Sequence, residues 1–260
     1  MALIQQEREN RILELFRNQN VIRVNQLASE LNVTQATIRT DLQRMTQKGL
    51  VRRVHGGAVL EKSFTSHETP FILRKDSFFK EKQQIGRVAA EEIVDGQTVI
   101  LDISTTVLEV AKNIKNRKKL IVITNSLHNA LELVDVEDIQ LILTGGLVER
   151  VEKCMVGSIA IKILSQFYAD KVIIGIGGLS LEKGITDFGM GESEVRKLMI
   201  ESGKEVIAVA DSSKIGKLAF VSTAPLSKIN KLITDWHIRP DQRDAFREQG
   251  IDVVVCEPPD

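Results

Sequence analysis

The stretch Val33–Met45, VTQATIRTDLQRM, decides how the first part of this chain reads. Ile38, Leu42 and Met45 recur at i, i+4 and i+7, the spacing of a single buried helical face. The other positions carry Gln35, Thr37, Arg39, Thr40, Gln43 and Arg44, and the only acid among them is Asp41. An ordinary surface helix intersperses acids and bases. A face of amide, hydroxyl and guanidinium groups instead suits the floor of a major groove, where Arg pairs with guanine, Gln with adenine, and Thr with either a base edge or a phosphate.

The flanking residues support this reading. Thr34 is placed to cap the helix, and Gly49 to close it. Upstream, Leu27, Ala28 and Leu31 form the apolar stripe of a preceding helix, with Asn25 as its expected N-cap and Asn32 as a residue that tolerates the left-handed conformation at a helix end. Only the short turn NVT separates the two helices, which forces a steep crossing packed through Ala28, Val33 and Ile38. An earlier helix, from about Gln5 to the turn-forming NQN at Asn18–Asn20, shows Ile12, Leu13 and Phe16 on one face. After Gly49, LVRRVHGGAVL places β-branched residues on both sides of Gly56 and Gly57, the pattern of a short hairpin. The first sixty residues therefore predict a winged helix-turn-helix. Its expected DNA contacts are Thr34, Gln35, Thr37, Arg39, Thr40, Gln43 and Arg44 on the helix, with Arg52, Arg53 and His55 on the wing against the phosphate backbone.

The segment TIRTDLQRMTQKGLVRRVHGGA resembles the signature of the DeoR family of bacterial transcription regulators. Thr37, Ile38, Arg39, Asp41 and Leu42 match the family's recognition helix, and Arg53, His55, Gly56, Gly57 and Ala58 match its wing. Where the family carries a second Arg, this chain has Thr40. The resemblance continues along nearly the whole chain.

Charge separates the two parts. The chain as a whole is balanced, with 35 basic and 35 acidic side chains, but residues 1–60 hold nine Lys or Arg against five acids and the remainder 26 against 30. A basic segment joined to a larger acidic one points to a polyanion as the partner of the first. Two cysteines, Cys154 and Cys256, are too few for a disulfide framework, and four scattered histidines have no ligand spacing, so neither a metal nor a cofactor is expected. No apolar run reaches the length of a membrane span and MALIQQEREN lacks the features of a signal peptide, so the expected location is the cytoplasm, with no membrane contact.

Residues 61–81 show no period and carry polar and Pro signals; with their four Phe they read as a linker that packs down in part. From Lys82 a helix with Ile85, Val88, Ala89 and Ile93 inside leads into seven apolar, β-branched runs: VILD, LIVIT, QLILT, KVIIGI, EVIAVA, KLITD and DVVVC. Helix-length spacers between them predict a largely parallel sheet covered on both faces, an α/β domain over 82–260. Ligands of such sheets bind beyond the carboxyl ends of the strands. There the chain gathers Asp102, Ser104, Thr105 and Thr106; Thr124, Asn125 and Ser126; Thr144, Gly145 and Gly146; Gly175 to Gly178; and Asp211 to Lys214. Singly, such residues are helix caps and turns. Together they form a rim of hydroxyls and backbone amides with Lys214 as counter-charge, suited to a phosphate or polyol.

The DeoR resemblance extends to these residues. It implies an effector domain similar in fold to ribose-5-phosphate isomerases that senses a phosphorylated sugar or related metabolite. The family's Asp-x-Gly-Thr-Thr appears with Ser104 in place of Gly; Thr124 to Ser126 and Asp211 to Lys214 match two further motifs. Where related isomerases carry catalytic carboxylates, this chain has GIGGLS, and removing a proton next to a carbonyl needs a base within reach.

The resulting expectation is a metabolite-controlled transcriptional regulator, a repressor of a sugar, polyol or sugar-acid operon, with double-stranded operator DNA and a phosphorylated effector as partners. A helix-turn-helix this small needs repeated half-sites for specificity, so a homodimer or homotetramer is expected. Two alternatives stay open at this point. Asp187, Glu192 and Glu194 could serve a sugar-phosphate isomerase or transferase-like enzyme with a fused nucleic-acid module, and residues 1–60 could be a protein-docking bundle. The basic run Lys112–Leu120 reads as a solvated loop rather than a second nucleic-acid site.

Overall fold

The computed structural model describes residues 8–9, 11–12, 15–16, 21–47, 51–60 and 71–259. The chain divides into two compact units, Met1–Phe64 and Thr65–Asp260. The NQN turn, Leu13, Gly49 and residues 61–70 of the expected linker lie outside the described residues.

In the first unit, strand β1 (Val21–Arg23) leads directly into helix α1 (Val24–Glu30), then α2 (Gln35–Gln47) and the hairpin β2 (Val51–Val54) and β3 (Gly57–Leu60). Leu27, Ile38, Leu42 and Met45 are sealed from solvent together with Ile12, so the apolar stripes close one core. Thr34 Oγ1 accepts the Thr37 amide at 3.2 Å, the expected cap, and Asn32 has φ of 51°. Two local expectations need correction. Asn25 is not the N-cap of α1: the helix begins one residue earlier, at Val24, whose amide is satisfied by Gly56 O of the wing at 2.9 Å. The hairpin turn is His55–Gly56, because Val54 pairs with Gly57. Gly57 is already in the strand, where a Cβ would stand 2.2 Å from Ile22 O of the adjoining β1.

The second unit opens with α3 (Phe71–Asp76) and α4 (Phe79–Glu91), so the later part of the stretch read as a linker is helical. Seven strands then form one sheet: β4 (Thr98–Leu101), β5 (Leu120–Thr124), β6 (Ile139–Leu143), β9 (Ala169–Gly175), β12 (Gly203–Val209), β14 (Lys231–Thr234) and β15 (Asp252–Val255). They are the seven apolar runs of the sequence. All neighbours are parallel, in the order β15-β14-β12-β9-β4-β5-β6.

Successive residues alternate between two cores, Val99, Leu101 and Ile173 on one face and Ile100, Val172 and Ile174 on the other. Helices α4, α5 (Thr105–Asn113) and α6 (Leu127–Leu133) cover the first face through Ile85, Val107 and Leu133; α7 (Ser158–Leu164), α8 (Met190–Ser202) and α9 (Pro240–Glu248) cover the second through Leu164, Met199 and Phe246. Two small antiparallel sheets stand outside this pattern: β7 (Leu147–Glu149) with β8 (Cys154–Val156), and β10 (Gly178–Ser180), β11 (Gly184–Asp187) and β13 (Val221–Ala224). In the run Lys112–Leu120, Lys112 pairs with Glu109 and Lys115 with Glu132, each at 2.7 Å.

The chain builds β4, β5 and β6 outward in one direction, then returns to place β9 on the other side of β4. The sheet therefore reverses its winding between β4 and β9. Beyond the carboxyl ends of these two strands lies the crevice in which open α/β sheets hold ligands.

Candidate functional site

Asp41, the one acid of the recognition helix, is fully buried and does not face outward. Arg8 donates to both of its oxygens, from Nε at 2.9 Å and Nη2 at 3.2 Å. The exposed face of α2 thus presents Gln35, Arg39, Thr40 and Gln43, with Thr34 at its start and Thr37 and Arg44 half-buried, and carries no acid among them. Arg39 Nη2 donates to Gln35 Oε1 at 3.2 Å, which aligns a guanidinium and an amide one turn apart. Thr40 donates to Ala36 O at 3.1 Å, and Thr34 and Thr37 share a hydroxyl contact of 2.9 Å. Arg44 lies 3.8 Å from Asp41, at the border of this face. On the wing, Arg52, Arg53 and His55 are exposed, while Val51 turns inward to the core.

In the second unit, Ser104 Oγ accepts the Val107 amide at 2.8 Å and so caps α5. The first-turn residues Thr105 and Thr106 are 3% and 4% exposed, and neither hydroxyl has a hydrogen-bond partner among the described residues. Their backbone amides point out of the helix start, the arrangement that receives a phosphate. Room for Ser104 comes from Gly175 at the end of β9: a Cβ there would lie 2.3 Å from that of Ser104.

Other expected site residues are committed to the fold. Thr124 Oγ1 donates to Leu101 O at 2.6 Å and accepts the Ser126 amide at 3.1 Å. Ser126 caps α6 through the Asn129 amide at 3.2 Å, and Asp211 accepts the Ser213 amide at 3.2 Å in its own turn. Gly145 and Gly146 have φ of 64° and 117°, which gives them a cause in backbone geometry. They follow the edge strand β6, two strands from β4 and so roughly 10 Å away at ordinary strand spacing. Asn125 donates to Met155 O at 3.1 Å, and its Oδ1 is buried without a donor. The same holds for Oδ1 of Asn129, whose Nδ2 donates to Asp102 O at 3.0 Å.

Asp102 and Arg196 are the buried charges at the switch point. Arg196 Nε donates to Asp102 Oδ2 at 2.6 Å, and its guanidinium also pairs with Asp187. Gly175 N completes Asp102 at 3.2 Å; Gly177 N at 3.2 Å and Thr223 Oγ1 at 2.6 Å complete Asp187. Burial pushes the Asp102 carboxyl up to about 6 even with Arg196 beside it. Burial also works against the charge of Arg196, but the two carboxylates outweigh it and raise its pKa. Arg196 lies 94 positions from Asp102, and the sequence reading missed it. The available signal is an Arg within the buried stripe Ser193, Arg196, Ile200 of α8, since a charge in such a stripe needs a partner.

Neither Gly177 nor Gly178 of the GIGGLS run has space for a side chain. A Cβ at Gly178 would stand 2.6 Å from Lys217 O, and one at Gly177 2.9 Å from Thr186 O. The stretch 215–220 passes over β10 and β11, held by Gly216 N on Leu179 O at 2.7 Å and Ala219 N on Thr186 Oγ1 at 2.8 Å. Asp187 does reach back toward Gly177, but Arg196 and Thr223 occupy its oxygens. Glu194 is exposed, and burial raises the pKa of the half-buried Glu192. Lys214 follows β12, two strands from β4, and its ammonium stands 5.6 Å from the centroid of the Phe188 ring.

Comparison with known proteins agrees with this two-part architecture. Residues 8–64 match the DeoR-like helix-turn-helix domain, and residues 77–236 match the DeoR C-terminal sensor domain. The HTH-type transcriptional repressor GlcR of Bacillus subtilis is 37% identical over 257 residues, covering 98% of each chain. The glycerol-3-phosphate regulon repressor of Escherichia coli is 34% identical over 252 residues, covering 97% of this chain and 99% of its own. Among solved structures, ribose 5-phosphate isomerase A of Methanocaldococcus jannaschii matches with a TM-score of 0.41 and 16% identity, over 54% of this chain and 55% of that one. Helix-turn-helix and sensor domain together define a DNA-binding transcriptional regulator. The chain belongs to the DeoR family.

No helix among the described residues is long and apolar enough to cross a membrane. No group of three or more His, Cys, Asp or Glu among them could hold a metal ion, and Cys154 and Cys256 are free and buried.

Proposed function

We propose that this regulator is a cytoplasmic repressor of an operon for catabolism of a sugar, polyol or sugar acid, released or recruited by a phosphorylated metabolite of that pathway. The observation that carries the DNA side is the burial of Asp41 on Arg8, which leaves the outer face of α2 without a carboxylate to repel phosphate. Gln35, Thr37, Arg39, Thr40 and Gln43 then read base edges; Thr34, Arg44, Arg52, Arg53 and His55 hold the backbone. Residues 1–60 form the DNA-binding part, 61–81 the connection and 82–260 the sensing part. A homodimer or homotetramer brings two such helices to repeated half-sites.

The effector side rests on the first turn of α5, where amides and unpartnered hydroxyls of Thr105 and Thr106 converge at the switch point. Asp102, Ser104 and Asn125 lie beside it, and Thr124, Ser126, Gly145, Gly146, Asp211 and Lys214 belong to the loops further along the rim. The domain is a sensor and not an enzyme. What supports this reading is that the GIGGLS run has glycines with no room for a side chain at Gly177 and Gly178, and that Gly177, Arg196 and Thr223 engage both oxygens of Asp187.

Selection of duplexes from a random pool by the full chain tests the reading. Enrichment of a repeated half-site with salt-sensitive retention supports it; retention of no DNA returns residues 1–60 to a protein-docking role. Turnover of sugar phosphates by the same preparation would instead favour the enzyme.

A further inference from the structure

We infer that Thr40 and Ala36 form an apolar crown on α2, and that Thr40 reads the 5-methyl group of a thymine on the floor of the major groove. This rests on the DNA reading above and gives Thr40 a contact of a definite kind, methyl on methyl, in place of a hydrogen bond to a base or a phosphate.

The helix has a single outermost line. At about 100° per residue, Ala36 and Thr40 lie about 160° and about 200° around the axis from Ile38, which is sealed from solvent in the core. Both are exposed, and Gln43 continues the line. Gln35 and Arg39 run along one flank, Thr37 and Arg44 along the other. A helix that turns its core stripe away from DNA thus presents Ala36 and Thr40 to the floor of the groove and its longer polar side chains to either side.

The hydroxyl of Thr40 is committed within the helix. Its Oγ1 stands 3.1 Å from Ala36 O, and because a carbonyl only accepts, the proton in that bond belongs to Thr40. Guanine N7 and O6, adenine N7 and thymine O4 all require a donor, so Thr40 does not serve them. With the hydroxyl laid back on the preceding turn, the other branch of the side chain, the Cγ2 methyl, is left for the groove. Ala36 sets a second methyl one turn away, about 5.4 Å along the axis. Thymine is the base that offers an apolar group in the major groove, and Ala and Thr methyls are groups that pack on it.

Size agrees with this. A helix of about 10–12 Å with its side chains barely enters a groove about 12 Å wide and about 8.5 Å deep, and short side chains on the crown let its backbone approach the floor. A long charged side chain at position 40 would hold the same backbone further out.

Anisotropy titration of the full chain tests the inference, with a duplex selected from a random pool and the same duplex carrying deoxyuridine in place of each half-site thymine in turn. Deoxyuridine keeps every hydrogen-bonding group of thymine and lacks only the methyl. One replacement should weaken wild type by about three- to fivefold, the worth of one buried methyl. Thr40→Ser keeps the hydroxyl and loses the methyl; it should bind the all-thymine duplex weaker by about the same factor and be indifferent to deoxyuridine at that position. Thr40→Val keeps a methyl and loses the hydroxyl; it should bind within about twofold of wild type and stay sensitive there. Wild-type affinity in Thr40→Ser with a loss in Thr40→Val would show a hydroxyl contact and overturn the inference. Tolerance of deoxyuridine at every position, or the same sensitivities in Thr40→Ser as in wild type, would also overturn it and leave the DNA reading standing. Retention of no duplex by wild type would remove the DNA reading itself.

Discussion

Asp41 and Arg8 form a two-point ion pair across the first unit, with Nε–Oδ2 at 2.9 Å and Nη2–Oδ1 at 3.2 Å, and the carboxylate is fully buried. The pair ties the recognition helix to the amino-terminal segment and removes the helix's only acid from its outer face. A residue that looked like an exception to a DNA-facing surface is part of the core beneath it.

Asp41→Ala should destabilise the first unit by up to about 3 kcal/mol, the low end for breaking a buried pair. The low end applies because the Arg8 side chain keeps 14% exposure and can reach water. Urea denaturation of wild type and variant measures this. An unchanged midpoint would show that the pair adds nothing to stability.

Arg39→Ala should weaken specific operator binding by roughly 1–3 kcal/mol, and by more than it weakens binding to random DNA. Arg39 is exposed on α2 and aligned by Gln35. Mobility-shift titrations on both DNAs decide it; equal losses would assign Arg39 to phosphate positioning.

The double variant Arg52→Ala, Arg53→Ala should lower affinity for all sequences and flatten the slope of log K against log salt by about 0.9 for each phosphate that the wing no longer neutralises. Both side chains stand outward on β2. A wild-type salt slope would place the wing away from the backbone.

Acidification should raise the contribution of Asp102 to stability. Its carboxyl is pushed from an ordinary 3.8 up to about 6, so the folded chain takes up this proton before the unfolded chain does. The favourable contribution therefore grows as pH falls from about 6 toward 4 and is lost as pH rises through about 6. The stability of wild type relative to Asp102→Asn should increase between neutral pH and pH about 5. A difference that is flat with pH would contradict the shift.

The parts of this fold legible in the sequence are those encoded locally. Each of the seven apolar runs became a strand of the parallel sheet, and Thr34 and Asn32 mark the ends of the turn between α1 and α2. Three-residue β1 was not legible, because Val21–Arg23 is too short to show alternation and exists by pairing with β3. Asn25 failed as a cap for a related reason: the wing's Gly56 carbonyl, distant in sequence, already meets the start of α1. The small-residue rim was legible as a set, but its internal division was not. Ser126 and Asp211 turned their side chains to their own turns and Thr124 gave its proton to Leu101 O of the neighbouring β4, while Arg196, Asn129 and Phe188 joined the switch point through contacts that no local spacing announces.

Operator titration of Thr105→Ala across a panel of sugar and polyol phosphates tests the central claim, that a phosphate at the start of α5 controls DNA binding. A ligand that changes DNA affinity five- to 150-fold must distinguish the DNA-bound and free conformations by about 1–3 kcal/mol. Wild type should show such a change with at least one member of the panel. Thr105→Ala should form the operator complex and show no change with the same compound. A variant that responds at the wild-type effector concentration would contradict the account.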